Sequence, residues 1–261
     1  IMCKVISVAN IKGGVAKTTT AANLGVGLVK KGKRVLLVDL DPQGSLSLGL
    51  GIRNNKELPY TVSTVIQKVI NEIEISEGEG IIHNDEGVDI LPSNHSLRTV
   101  EQQLDEVMSK EHILEEYIDG IRDRYDYIII DCNPGVDNLI LNALTCCDSV
   151  LIPSPPEYLC VEGLQEIIRT IGQVKKRLNR KIEIEGVLLT IVNGRTNIAR
   201  DIMNKMEEAY GQHLKIFQTV IPESVKAKEA VANGISVYEQ SPKSSVAVAY
   251  EAFVEEVLDN E

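Results

Sequence analysis

Apolar residues along this chain gather into short, nearly unbroken runs set between longer stretches of helical spacing. The runs are Val5 to Ala9, Val35 to Val38, Val88 to Leu91, Tyr127 to Ile130, Val150 to Pro153, Glu185 to Val192 and Thr219 to Pro222. Runs of this length predict strands covered on both faces, as in a parallel sheet. Between them, apolar residues recur every three or four positions. That spacing predicts helices over about 19–31, 62–75, 97–108, 113–121, a helix running to 177, 197–210, 227–233 and 244–258. Gly32 follows the first as its C′ residue. Residues 45–87 are less regular, with a turn at Ser76 to Gly80 after their one predicted helix. The alternation implies an α/β fold: a doubly wound, mostly parallel central sheet with helices on both faces. No repeat, low-complexity tract or linker interrupts it, so residues 1–261 are expected to form a single domain.

Composition sharpens this picture. Hydrophobic residues make up 43% of 261, enough for a large core, yet there is no Trp and there are two Phe. Five cysteines, Cys3, Cys132, Cys146, Cys147 and Cys160, form no C-x-x-C pair, and four histidines are scattered. Reduced core thiols are expected and a zinc site is not. No stretch has the length of a membrane span or the form of a signal peptide. The net charge of −11 argues against a generally adhesive nucleic-acid binder but leaves room for a local basic face.

The densest chemistry follows the first strand: Lys12-Gly13-Gly14-Val15-Ala16-Lys17-Thr18-Thr19, leading into a helix. A glycine turn between strand and helix points backbone N–H groups inward, and the helix N-terminus adds partial positive charge. Lys17 would reach β- and γ-phosphate oxygens and the Thr18 hydroxyl would ligate Mg²⁺. A second strand delivers Asp39-Leu40-Asp41-Pro42-Gln43-Gly44, and a third ends in Asp131-Cys132-Asn133-Pro134, an acidic residue placed to hold Mg²⁺ through water.

The common phosphate-loop pattern G-x-x-x-x-G-K-[ST] is not met, because Ile11 and Ala16 stand at its glycine positions. What is met is K-G-G-x-x-K-T-T followed by D-x-D-P-Q-G. In these the chain resembles the ParA/Soj branch of the deviant Walker A ATPases of the ParA/MinD superfamily. The resemblance implies ATP and Mg²⁺ as cofactors and a cytoplasmic homodimer in the ATP state. It assigns Lys12 to the partner's nucleotide across the interface, Asp41 to the attacking water and Asp39 to the vicinity of the loop and Mg²⁺. It further implies that Asn193, at the end of the sixth run, and Pro222 contact adenine, and that Glu157 and Glu162 are interface candidates. Two departures stand out. Ala16 replaces a usual glycine, which a methyl group tolerates where φ stays negative. Asn133 replaces the first proline of a D-x-P-P pattern.

The same resemblance implies slow hydrolysis stimulated by a ParB-like partner, and non-specific DNA binding by the ATP dimer in plasmid or chromosome partitioning. The residues expected on DNA are Arg195, Lys226 and Lys228, with Arg200 and Lys205 beside them; Glu223, where relatives carry arginine, opposes it. Alternatives are positioning on a protein assembly, a MinD-like membrane switch, which the acidic tail Glu255 to Glu261 disfavours, and a nucleotide-binding regulator with little turnover.

Overall fold

A computed structural model describes residues 3–156, 158–193, 208, 211 and 214–259, without the side chains of Lys56 and residues 158–162. Within them, eight strands form one sheet: β1 Lys4–Val8, β2 Val35–Leu40, β3 Ile82–His83, β4 Asp89–Leu91, β5 Tyr127–Cys132, β6 Ser149–Ser154, β7 Glu183–Val192 and β8 Ile216–Pro222. Their order is β3-β4-β2-β5-β1-β6-β7-β8. Only β3 runs antiparallel to its neighbour. The helices are α1 Lys17–Lys30, α2 Ser45–Gly49, α3 Val62–Ile70, α4 Leu97–Leu104, α5 Ile113–Ile121, α6 Asn138–Cys146, α7 Tyr158–Arg177, α8 Val225–Asn233, α9 Val237–Gln240 and α10 Ser245–Leu258.

The unbroken apolar runs are explained by two cores, one on each face. Successive strand residues point to opposite sides. Val5, Leu36, Val38, Ile128 and Ile130 meet α3 to α7, while Ile6, Val8, Leu37 and Ile129 meet α1 and α10 through Leu24, Leu28 and Phe253. Each such fully buried Leu or Ile contributes roughly 1.5–3 kcal/mol. Both edges of the sheet are guarded. β3 is two residues long, and on β8 the Gln218 and Thr219 amides donate to the Glu256 carboxylate at 2.8 and 3.0 Å.

Register brings the chemistry to one level. Asp131 pairs with Val8 on one side and with Asp39 on the other. The loop after β1, the aspartates of β2 and the aspartate of β5 therefore emerge together at the C-terminal edge, where open α/β sheets bind ligands. At the opposite end, Asp126 staples β2 to β5. Its carboxylate accepts from the Arg34 backbone N–H at 2.8 Å and from guanidinium Nη2 at 2.9 Å, and these bonds hold its pKa down at about 2. A depressed carboxylate stabilises above its unfolded pKa, and that stability is lost as pH falls. Asp126→Asn is expected to flatten the loss of stability between about pH 4 and pH 2. Its effect at pH 7 should stay below about 1 kcal/mol because the pair is exposed; denaturant titrations across pH check this.

Several boundaries differ from those expected. The helix predicted over 62–75 stops at Ile70, since Glu72 takes φ 53° and turns the chain. The one predicted over 97–108 stops at Leu104. β3, α2 and α9 had no clear sequence signal. The helix expected over 197–210 lies almost wholly outside the described residues.

Candidate active site

β1 ends in a loop that is held from three sides. Asn10, 1% exposed, donates Nδ2 to the Pro153 carbonyl at 2.8 Å and accepts the Lys12 N–H at 3.1 Å. Thr190 on β7 donates its hydroxyl to the Val15 carbonyl at 3.0 Å. Lys17 folds back so that Nζ donates to the Lys12 carbonyl at 2.8 Å. Asn10 and Thr190 escaped the sequence reading. A polar residue just past an apolar strand was the only sign of Asn10, and nothing local marks Thr190.

Gly13, Gly14, Ala16, Lys17, Thr18 and Thr19 line a cleft of about 530 Å³ together with Asp41, Cys132 and Pro134. Val15 is buried beneath them. Ile191, Ile221, Pro222 and Val231 add apolar surface to the same cleft. Asn193, expected at the base, is exposed after β7 and is not among the lining residues; Ile191 is, at φ 54°.

Burial lowers the pKa of Lys17, which is 7% exposed, and Asp131, Cys132 and Asp41 oppose that shift. Asp131 is fully buried, and neither of its carboxylate oxygens makes a hydrogen bond of ordinary geometry. Burial, and then the charge of Asp39, push its pKa well up, while the Thr18 hydroxyl and Lys17 act the other way. Two orphaned carboxylate oxygens facing a hydroxyl and an ammonium suit a hydrated divalent cation, so the residues fit Mg²⁺.

Asp39 corrects its expected role. Its Oδ2 accepts both the N–H and the hydroxyl of Ser47, at 2.8 and 2.6 Å, and Oδ1 accepts the Asp41 N–H at 3.2 Å. One oxygen is thus taken up by α2 and the other by the turn before it, and Asp39 is not among the residues lining the cleft. Burial raises its pKa to about 6 against those bonds. Asp39 anchors the turn that carries Asp41. Within that turn Asp41 Oδ1 accepts the Gln43 N–H at 2.8 Å, and Gly44 sits at φ 64°, where a Cβ would lie 2.8 Å from the Ser93 carbonyl.

Ala16 corrects the second expectation, for its φ is +66°, not negative. A left-handed alanine costs about 1–2 kcal/mol, and Ala→Gly loses back about 0.4–1 kcal/mol through the freer unfolded chain. Ala16→Gly is therefore expected to stabilise by about 0.5–1 kcal/mol and raise Tm by about 2 °C. Calorimetry checks it.

Lys12 does not line this cleft; its stem runs along Gly163 of α7, where a Cβ would come within 3.1 Å of Lys12 Cγ. Lys228 and Glu223 stand at the cleft itself. The Lys226 ammonium is paired with Glu229 at 2.7 Å. Arg195, Arg200, Lys205, Glu157 and the Glu162 side chain lie outside the described residues.

A parallel sheet with a lysine-bearing phosphate loop after β1 and carboxylates at the ends of β2 and β5 defines a P-loop nucleoside triphosphatase. A family profile described as an AAA domain matches residues 3–184. The sporulation initiation inhibitor protein Soj of Bacillus subtilis is 38% identical over 259 residues, covering 99% of this chain and 100% of Soj. The chromosome partitioning protein ParA of Caulobacter vibrioides (strain NA1000 / CB15N) is 34% identical over 260 residues, covering 99% and 95%. Among solved structures, one described as cobyrinic acid a,c-diamide synthase of Mycobacterium smegmatis, with bound ADP and magnesium, superposes with a TM-score of 0.86 at 34% identity, covering 99% and 95%. The chain belongs to the ParA/MinD family of ATPases.

Proposed function

We propose that this chain is a Mg²⁺-dependent ATPase that dimerises on ATP and acts as a positioning switch of ParA type. The observation that carries the reading is the convergence of Lys17, Thr18 and Asp41 on one cleft at the sheet's C-terminal edge, with the orphaned carboxylate of Asp131 buried beside Thr18 and Lys17. Lys17 would leave the Lys12 carbonyl for phosphate oxygens. The loop amides would hold the remaining oxygens, and Asp41 would orient the attacking water for in-line displacement. Thr18 directly, and Asp131 through water, would hold Mg²⁺, which supplies neutralisation of phosphate charge. Lys12 would act in trans, adding a cation only when two chains meet, so that ATP joins the dimer and hydrolysis releases it.

In this reading the ATP dimer binds DNA without sequence preference, and a ParB-like partner stimulates hydrolysis. Lys226, Lys228 and Arg195 would supply phosphate contacts, with Arg200 and Lys205 beside them. A second reading, a protein assembly as the track, draws support from Glu223, from the neutralising Lys226–Glu229 pair and from the net charge of −11. Among the described residues no helix is long and apolar enough to cross a membrane.

DNA binding across a salt series decides between them. The partition reading expects binding that needs ATP, persists in Asp41→Ala, falls steeply with salt and vanishes when Arg195, Lys226 and Lys228 are reversed in charge. An ATP dimer that ignores DNA at low salt would leave the protein-track reading.

A further inference from the structure

Ala16 and Ile191 line the same cleft, and both take left-handed backbone, at φ 66° and 54°. Neither residue type favours that region, and a β-branched one least of all. One hydrogen bond links the two sites. Thr190, fully buried and one residue before Ile191, donates its hydroxyl at 3.0 Å to the carbonyl of Val15, one residue before Ala16. β6 lies between β1 and β7 in the sheet, so the bond reaches past a whole strand. The pairing of β7 with β8 shifts between Leu189 and Val192, which brackets Thr190 and Ile191. An irregularity of this kind re-aims a side chain beside a functional site.

What the bond restrains is a peptide plane. A trans peptide points its C=O and its N–H in opposite directions. With the Val15 carbonyl held on Thr190, the Ala16 N–H points away from that buried hydroxyl. Turning the plane over would carry Ala16 to negative φ, where alanine is at ease. It would also set the carbonyl where the N–H had been, so a phosphate oxygen would meet an acceptor in place of a donor. Burial favours neither orientation, because each leaves one polar group of the plane on the dry side. Handedness decides. For alanine the left-handed penalty corresponds to about five- to thirty-fold in population, and for glycine it vanishes.

We propose that Thr190 is a positioning residue of the phosphate loop: its hydroxyl keeps Ala16 left-handed and the Ala16 N–H available to a nucleotide phosphate. The proposal rests on the nucleotide-binding reading for its consequence, and on the backbone alone for its cause. A glycine at position 16 would need no such hold, so the dependence on Thr190 comes with the alanine.

The test is a cycle of Thr190→Val and Ala16→Gly, singly and together, with Thr190→Ser beside it. Anisotropy of a fluorescent ATP analogue with Mg²⁺ reads affinity, phosphate release reads KM and kcat, and calorimetry without nucleotide reads Tm. In the alanine background Thr190→Val should weaken ATP binding at least about five-fold, as the competent orientation becomes the minor one. In the Ala16→Gly background the same exchange should cost no more than about two-fold, the two orientations being nearly equal. The loss should fall on KM more than on kcat, because saturating nucleotide draws the plane back. Thr190→Ser keeps the hydroxyl and should bind within about two-fold of the wild type. Without nucleotide, the gain of about 2 °C expected from Ala16→Gly should vanish in the Thr190→Val chain, where the alanine has already relaxed.

Should Thr190→Val not fold, Thr190→Ala repeats the cycle with the same expectations. An equal loss of affinity in both backgrounds would make Thr190 a strut of the fold and overturn the proposal. So would unchanged affinity in Thr190→Val, or Thr190→Ser binding no better than Thr190→Val. An additive Tm cycle would remove the hold itself. A wild type that binds no ATP, with the Tm cycle non-additive as expected, would sink the nucleotide reading and leave the hold on Ala16 standing.

Discussion

Asp41→Ala is expected to lower ATP hydrolysis by about 10²–10³-fold while nucleotide affinity stays within about three-fold. Asp41 lines the cleft but does not help build the phosphate loop, so its loss should fall on the chemical step. Its carboxylate also caps its own turn through the Gln43 amide, which would confound the alanine variant. Asp41→Asn separates the two roles. It keeps an Oδ1 acceptor for Gln43 and discards only the charge. The turn at Gly44 survives in either variant, because the Gly44 amide bonds to the Asp41 backbone carbonyl at 2.8 Å. Single-turnover phosphate release with a parallel fluorescent-ATP titration reads both quantities. If Asp41→Asn is as slow as Asp41→Ala, the charge performs the work. A wild-type rate in Asp41→Ala would remove Asp41 from the reaction.

The strands of the central sheet were legible because burial on both faces leaves no polar position to break an apolar run. Lys17, Thr18, Asp41 and Asp131 were legible for a related reason: glycines, hydroxyls and carboxylates have few other uses directly after such strands. What escaped was set by neighbours distant in sequence. α2 is only five residues, Ser-Leu-Ser-Leu-Gly, too short to hold by itself, and it is held by Asp39 from the strand before it. The apolar spacing of α3 and α4 runs on into Ile73 and Met108, which are 53% and 90% exposed, so periodicity overstated both helices. The positive φ of Ala16 has no local signature, because alanine says nothing about handedness. The Lys226–Glu229 pair at i,i+3 spacing on α8 was missed as well, because the predicted helix began at residue 227 and Lys226 was expected on DNA.

Two different demands therefore meet at the sheet edge. The fold needs Asp39 to fasten α2 and Asp131 to sit dry between β1 and β2, while the chemistry needs a carboxylate with free lone pairs. Asp39 meets the first by spending its oxygens on Ser47 and the Asp41 amide. Asp131 meets the second by keeping both of its own unbonded. Two acids paired in register on adjacent strands repel when both are charged, and after burial this repulsion is what raises the pKa of Asp131.

Lys17→Met should be the most damaging exchange at the site, because that ammonium faces Asp131 and Asp41. Methionine keeps the apolar stem that packs at the start of α1 and removes only the charge. Nucleotide affinity is expected to fall at least about 100-fold, the effect of truncating one member of a desolvated charge pair worth about 3 kcal/mol. A second effect appears without nucleotide. Asp131 holds its proton more tightly in the folded than in the unfolded chain, so its contribution to stability is present at low pH and lost as pH rises through the raised pKa. Lys17 opposes that shift in the wild type. Without it the shift widens, and Lys17→Met should lose stability more steeply than the wild type as pH rises above the ordinary carboxylate range. Urea unfolding of both proteins at a series of pH values checks the slope. Parallel curves would show that Lys17 does not compensate Asp131 in the folded state, and its place opposite the metal position would then need another explanation.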